Sequence, residues 1–239
     1  MNYGEQLASW YLRFNGFFPM PNFVVHRKED VPTSHPMAHN SDVDVLAVRL
    51  PHVFEEVGGT HDDWDWAVLD SLLPADRPAG VIVEVKTGLE DVQPEFHRLE
   101  RSIRRLGVLP GSEATEAARL LSTSPEFLDH QLRSVVSTHH GVIGTMLVCP
   151  AAMISERCAR VERQIQRRRT FTHFELPFDA LYTHVVTLEH CEAFLLTRFQ
   201  HYRLKFGARM LFPDELIQYL AWRADGEAGP RPRPNRLRN

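Results

Sequence analysis

Three charged residues stand in two short apolar segments that should otherwise be buried. Asp44 lies in residues 43–49, and Glu84 and Lys86 lie at the end of residues 81–86. Both segments are rich in β-branched residues and too short for stable helices, so we predict two strands. Because side chains alternate across a strand, Glu84 and Lys86 share one face. An acid and a base therefore sit side by side.

The positions of these residues along their strands favour a common site. Asp44 begins its strand while Glu84 and Lys86 end theirs, so an antiparallel pairing would collect all three side chains at one end of the sheet. Two converging carboxylates can hold Mg²⁺, whose bound waters serve as nucleophiles. Lys86 could orient or deprotonate such a water, or stabilise charge on a phosphate. The implied chemistry is phosphodiester hydrolysis, although a Glu-x-Lys alone is more often a solvated strand end.

A third element precedes the two strands. Residues 1–15 are predicted to form an amphipathic helix with Leu7, Trp10 and Phe14 on its apolar stripe and Glu5 in its first turn. This helix, the strand around Asp44 and the Glu-Val-Lys-Thr segment that follows at residues 84–87 together resemble the PD-(D/E)xK, or restriction-endonuclease-like, nuclease superfamily. The proline of the family's proline-aspartate pair is absent, because Val43 precedes Asp44.

The resemblance implies a role for each matched residue. Asp44 would be the central metal ligand, Glu84 the second ligand and Lys86 the catalytic lysine. Val85 would lend its backbone carbonyl to the metal, and Glu5 would be an accessory acid on the helix. The implied cofactor is Mg²⁺, for which Mn²⁺ can substitute. The implied substrate is DNA, with RNA left open, and the implied fold is an α/β core in which helices flank a mixed central sheet.

Length and composition are compatible with one enzyme domain. The chain has 239 residues, and we assign residues 1–226 to a single domain with a long insertion at about residues 50–80. Residues 227–239 form a basic tail of proline and arginine, expected to be disordered. We expect a cytoplasmic protein, because no apolar membrane segment or secretion signal is visible. The cysteines lack metal-ligand spacing, so zinc is not expected.

A net charge of −4 does not exclude a nucleic-acid partner, because binding depends on local charge. Arginines cluster on a predicted helix, which includes Arg101 and Arg105, and again in a segment that ends with Arg167, Arg168 and Arg169. We predict these residues, together with His26 on a strand beside the acidic strand, as nucleic-acid contacts. The alternative for each helical cluster is a solvated face.

The remaining pattern predicts a sheet between helices. Further helices are expected at residues 93–106, 112–121, 125–136, 151–169 and 192–205, and further strands at residues 23–27, 142–148 and 183–188. The insertion is either a lid or docking surface, or a decoration that packs its tryptophans on the core. His139 and His140 are expected to form a loop pair.

Three functions remain open at this point. The first is a Mg²⁺-dependent deoxyribonuclease, placed by analogy with the family in restriction or anti-phage defence. The second is a nuclease-like module that binds nucleic acid with weak or no catalysis, and the third is a partner-recruiting subunit with a vestigial site. A homodimer or an activating protein partner is plausible for a nuclease without a separate recognition domain.

Overall fold

The computed structural model describes residues 2–25, 41–53, 64–87, 96–122, 135–154, 184–207, 222–223 and 226. The helices within these residues are α1 (Tyr3–Phe14), α2 (Trp66–Leu69), α3 (Phe96–Leu106), α4 (Gly111–Leu121) and α5 (Leu188–Gly207), with 3₁₀ turns at Asp70–Leu72 and Ala151–Met153. The strands are β1 (Phe18–Val25), β2 (Ser41–Arg49), β3 (Ala79–Val85), β4 (Val135–Ser137), β5 (Val142–Cys149) and β6 (His184–Thr187).

The six strands form one mixed sheet. The order runs β1-β2-β3-β5, and β4 and β6 then share the far side of β5. Strands β1, β2 and β3 are antiparallel neighbours, whereas β3 with β5 and β5 with β6 are parallel. Both β3 and β5 are buried along their whole length, as expected for strands covered on both faces. The predicted mixed α/β sheet flanked by helices is confirmed.

Two apolar cores lie on opposite faces of this sheet. Val81, Val83 and Val85 join the core that contains α1 and the beginning of α5. Ile82 joins the other core, which is built on α3 and α4. This alternation along β3 is the one predicted from the sequence, and it assigns Glu84 and Lys86 to the face of Ile82.

The predicted elements agree with the structure in most of the described residues. The first helix, the two charged strands, α3, α4, β5, β6 and α5 are all present. The strand predicted at 23–27 is β1, which begins earlier, at Phe18. The helix predicted at 125–136 is wrong at its end, because Val135 and Val136 belong to β4. Of the helix predicted at 151–169, residues 155–169 lie outside the described part.

A buried arginine fastens the described ends of the insertion to β2. The Arg49 side chain is almost fully buried, donates 2.9 Å to the Pro74 carbonyl and 3.0 Å to the Val53 carbonyl, and lies over the Trp64 ring. Burial lowers the pKa of Arg49. Trp64 itself is in the core. This part of the insertion therefore packs as a decoration on the core, while residues 54–63 lie outside the described part.

Among the helices that the structure describes, none has the length and apolar character needed to cross a bilayer.

We expect Arg49→Met to destabilise the protein. Methionine fills much of the same volume but leaves the carbonyls of Pro74 and Val53 without their donor, at a cost of about 1–3 kcal/mol. Urea unfolding followed by circular dichroism measures the loss. Arg104→Met is the control, because Arg104 is half exposed and should change stability by less than about 0.5 kcal/mol. Equal stability of both variants would show that the hydrogen bonds of Arg49 only offset its desolvation.

Candidate active site

The site begins where the hydrogen-bonded ladder between β2 and β3 ends. The last paired residues are Val45 and Val83. Beyond this pair, the N–H of Val85, two residues after Val83, donates 2.6 Å to Oδ2 of Asp44, which directly precedes Val45. A carboxylate therefore takes the place of a strand carbonyl as the acceptor for this N–H, which holds the Asp44 side chain against the end of β3.

The backbone of β2 departs from regular alternation at Asp44. Val43 packs with α3 and α4, whereas Val45 packs with α1 on the opposite face. Strict alternation would place both valines on one face. On the neighbouring strand β1, Asn22 interrupts the pairing and has a φ of 51°, a left-handed conformation that asparagine tolerates better than most residues. Leu46 packs in the same core as its partner Ile82, so alternation from Leu46 already places Asp44 on the face of Glu84 and Lys86.

Lys86 joins the two predicted metal ligands. Its Nζ lies 3.3 Å from Oδ2 of Asp44 and 3.2 Å from Oε2 of Glu84. The Lys86 backbone N–H donates to the Val148 carbonyl of β5, which fixes the residue just beyond the end of β3. The structure therefore brings together three of the four residues predicted to be catalytic, and the two carboxylates converge on a single positive charge.

A second cation completes the cluster. Arg98, in the first turn of α3, places a guanidinium nitrogen 2.5 Å from Oε1 of Glu84 and also donates to the Asp42 carbonyl. The sequence places Arg98 in the basic segment of α3 but does not assign it to the site. The sequence could not reveal this contact, because Glu84 and Arg98 lie on different elements and their spacing along the chain matches no regular repeat.

Burial and neighbouring charges shift the pKa values of Glu84 and Lys86 in this cluster. Burial raises the pKa of Glu84, and this effect outweighs the opposing influence of Arg98 and Lys86. Burial would lower the pKa of Lys86, but the neighbouring carboxylates of Glu84 and Asp44 raise it above its ordinary value. In the metal-free site Lys86 is therefore an ammonium ion, and it acts as a positive charge instead of a base.

The structure gives Glu5 a different set of partners. Its two carboxylate oxygens accept from the backbone N–H and the side-chain amide of Asn2, at 3.0 Å and 2.7 Å, in a capping box. No hydrogen bond or ion pair links Glu5 to Asp44, Glu84 or Lys86, all of them described residues. The role of Glu5 as an accessory acid stays a prediction, and the observed contacts stabilise the start of α1.

The start of α1 nevertheless lies close to the end of β3. A Cβ atom added at Gly4 would approach Cγ1 of Val85 to 2.8 Å, so glycine is needed for this contact. Val85 faces α1, whereas Glu84 and Lys86 face the opposite side of the sheet. The use of the Val85 carbonyl as a metal ligand stays a prediction.

The predicted nucleic-acid contacts are only partly described. Arg101 is partly buried and Arg105 exposed on α3, and the guanidinium of Arg105 lies 5.3 Å from the ring centre of Phe23 on β1. His26 and residues 167–169 lie outside the described part of the chain, as does the basic tail at 227–239.

A second buried polar cluster was not found from the sequence. The carboxylate of Asp65 accepts from the Tyr11 hydroxyl at 2.7 Å and lies 2.5 Å from Nε2 of His190. The Asn15 side chain links Tyr11 and Asp65 through backbone groups of both. Burial, together with Asp65, raises the pKa of Tyr11. These bonds explain why an acid can lie between the buried Trp64 and the partly buried Trp66.

Comparison of the chain with models of protein families, with curated proteins and with solved structures finds no match.

The residues at the end of β3 suit a hard divalent ion. Asp44 and Glu84 supply carboxylate oxygens that already meet around one cation, the ammonium of Lys86. Mg²⁺ and Mn²⁺ bind such oxygen donors. The pair is also partly accessible, since the side chains of Asp44 and Glu84 are 19% and 10% exposed. Water can therefore reach it.

We expect Asp44→Asn to fold almost as stably as the original protein in EDTA. The amide oxygen of asparagine can still accept the Val85 N–H, and loss of the charge removes both the repulsion with Glu84 and the attraction to Lys86, two effects of opposite sign. Asp44→Ala should be less stable than Asp44→Asn by about 1 kcal/mol, because it leaves this N–H without an acceptor. Urea unfolding of the two variants measures the difference. If Asp44→Ala is as stable as Asp44→Asn, the bond to Val85 does not hold the end of β3.

Proposed function

We propose that this protein is a metal-dependent nuclease that hydrolyses DNA phosphodiester bonds. The observation that supports the proposal is the convergence of Asp44 and Glu84 on the ammonium of Lys86 at the open end of a β-sheet. Two acids and a lysine in this arrangement match the residue types and the strand positions on which the resemblance to PD-(D/E)xK nucleases rests. The Glu-Val-Lys strand lies directly beside the acidic strand, as that resemblance requires.

In this proposal Asp44, Glu84 and the Val85 carbonyl hold Mg²⁺. The bound ion would supply Lewis acidity and a water of lowered pKa. Lys86 is protonated in the metal-free site, where it lies between the two acids. Its contribution is therefore a positive charge close to the phosphate, where negative charge develops during hydrolysis. The cofactor assignment follows from the donor set and from the resemblance.

Arg98 has a role that the sequence does not reveal. Its guanidinium neutralises the buried Glu84 carboxylate when no metal is bound. A bound divalent cation would take over that neutralisation, and Arg98 would then be available to a phosphate oxygen a short distance away. Arginine suits this exchange, because its planar fork binds carboxylates and phosphates in the same geometry.

The substrate path follows α3 away from the site. Arg98, Arg101 and Arg105 are spaced by three and four residues, so they lie along one face of the helix. This arginine stripe (Arg98, Arg101, Arg105) begins at Glu84 and ends over Phe23, about 10 Å further along the helix. Its contacts to successive phosphates would position the strand without reading the bases.

One observation favours a second candidate function. Arg98 forms an ion pair with Glu84, which is a proposed metal ligand. Such a pair is expected in a nuclease-like module that binds nucleic acid without cutting it, because that module needs no metal at Glu84. The proposal of DNA in preference to RNA, and of a role in restriction or anti-phage defence with a homodimer or an activating partner, follows from the resemblance.

We expect cleavage of plasmid and linear DNA in Mg²⁺ or Mn²⁺ and none in EDTA. Asp44→Asn should lower the cleavage rate at least about a hundredfold, because it removes a charged metal ligand while keeping the Val85 bond. Asp42→Asn is the matched control, since Asp42 is an exposed acid two residues earlier on the same strand. Undiminished cleavage by Asp44→Asn would refute the catalytic assignment, while tight metal-independent binding without cleavage would favour the second candidate.

The arginine stripe predicts how DNA affinity depends on salt. Arg101→Ala and Arg105→Ala should each weaken binding and reduce the slope of log affinity against log salt by about one, because each removes one phosphate contact. Arg104→Ala is the control from the same helix, since Arg104 instead bonds Glu100 and Thr115. Fluorescence anisotropy over a range of salt concentrations measures both quantities. An identical change in all three variants would assign the effect to net charge and not to the stripe.

A further inference from the structure

A cluster of three metal-ligand side chains lies away from the proposed active site. Glu113, His139 and His140 each offer one ligand atom, and these atoms all lie within 4.8 Å of one another. Nδ1 of His140 is 2.8 Å and Nδ1 of His139 is 3.9 Å from the same oxygen of Glu113. The two imidazole rings lie against each other, with centroids 3.7 Å apart. Two adjacent histidines thus present the same ring nitrogen to one carboxylate.

The turn that carries the histidines is held in place before any ligand binds. Thr138 and Gly141 bond each other through backbone and side-chain groups, and the Thr138 hydroxyl accepts from the backbone N–H of His140. Arg77 also donates 2.6 Å to the Thr138 carbonyl. The turn connects β4 to β5, so both of its ends belong to the sheet. A ligand would meet histidines whose backbone is already ordered, which lowers the entropic cost of binding.

The carboxylate comes from a different element. Glu113 lies in the first turn of α4, and its side chain is 26% exposed. Its Oε2 atom is buried and makes no hydrogen bond to any described residue. The Thr138 hydroxyl, which helps to lower the pKa of Glu113, does not meet hydrogen-bond geometry at this oxygen, so a cation could still bind there. The other oxygen already faces the two histidines.

We propose that Glu113, His139 and His140 bind a divalent transition-metal ion of the Zn²⁺ class. Two imidazole nitrogens and one carboxylate oxygen are ligands of intermediate hardness, and this set suits Zn²⁺ far better than Mg²⁺. Three protein ligands leave the fourth position of a tetrahedral ion to water. The histidines must be neutral to bind the ion, so affinity should fall as pH decreases.

This metal site is independent of the proposed nuclease centre. The turn precedes β5, whereas Glu84 lies opposite Leu147 near the other end of that strand. Five residues of parallel strand separate Val142 from Leu147, a distance of roughly 17 Å. The expectation that zinc is absent was drawn from the cysteines. The cluster escaped sequence analysis because its carboxylate and histidines are brought together only by the packing of α4 on β4 and β5.

A bound ion would fasten the turn between β4 and β5 to the start of α4. Both elements border the core that contains α3 and α4, and α3 also carries Arg98. The expected consequence is greater thermal stability of the full-length protein in the presence of Zn²⁺, because the ion binds only the folded arrangement of these ligands.

Calorimetric titration of the EDTA-stripped and dialysed full-length protein with Zn²⁺, in excess Mg²⁺, tests the proposal. We expect one Zn²⁺ per chain, together with a rise in Tm. His139→Ala and Glu113→Gln should each weaken Zn²⁺ binding about tenfold or more and abolish the rise in Tm. His139 is 79% exposed, so its removal should not affect folding, which circular dichroism checks. His97→Ala, at an exposed histidine on α3, should bind Zn²⁺ like the original protein.

The Asp44→Asn protein separates this site from the nuclease centre. Zn²⁺ binding that persists in Asp44→Asn and disappears in His139→Ala supports the proposal, whether or not the protein cleaves DNA. Zn²⁺ binding lost in Asp44→Asn and unchanged in His139→Ala would place the ion at Asp44 and Glu84 and overturn it. Absence of Zn²⁺ binding by the original protein would overturn it as well.

Discussion

The antiparallel register of β2 and β3 is the constraint on which the proposed active site depends. Pairing of Val45 with Val83 places Asp44 directly beside the end of β3, where its carboxylate takes the N–H of Val85. A shift of one residue would turn the charged side chains toward the opposite, apolar core. The valines on either side of Glu84 are buried against α1, so their burial enforces the register that the charges require. The apolar core thus determines the geometry of the polar cluster.

Burial of this charged cluster lowers the stability of the fold, which indicates that the cluster serves a function. Glu84 is largely buried, and burial outweighs two neighbouring cations in setting its pKa. Apolar residues of similar size could replace a buried ionic network without loss of stability in many proteins. Elsewhere in this sheet, both faces of β3 and β5 are filled with such apolar residues. The acids and their two cations therefore lie together at one end of the sheet, where water can reach them.

The sequence was sufficient for elements whose local pattern agrees with their environment. The strands β2, β3 and β5 have apolar runs of the right length, and the face of Glu84 and Lys86 followed from alternation alone. The start of β1 was missed because Pro19 and Pro21 argue against a strand. These prolines are tolerated since β1 is at the edge of the sheet and need not donate on its open side.

Contacts between distant elements could not be read from the sequence. Arg98 reaches Glu84 and His140 reaches Glu113 only because α3 and α4 cover one face of the sheet. Val135 and Val136 were assigned to a helix, but these β-branched residues pair with β5, so the tertiary neighbour decided their conformation. Periodicity identifies which face of an element is apolar, but not which element will cover it.

Charge balance in the proposed active site links metal binding to substrate binding. Asp44 and Glu84 carry two negative charges, and Lys86 and Arg98 carry two positive charges, so the metal-free cluster is close to neutral. A divalent ion added to these groups leaves excess positive charge in a partly desolvated place, which is unfavourable. In the proposed function a phosphodiester would bring negative charge to the same place and give Arg98 a new partner. Metal and nucleic acid should then strengthen each other's binding by the same factor, because such coupling is reciprocal. The net charge of −4 is therefore compatible with the proposed function, in which a polyanion would bind at a locally cationic, metal-loaded site.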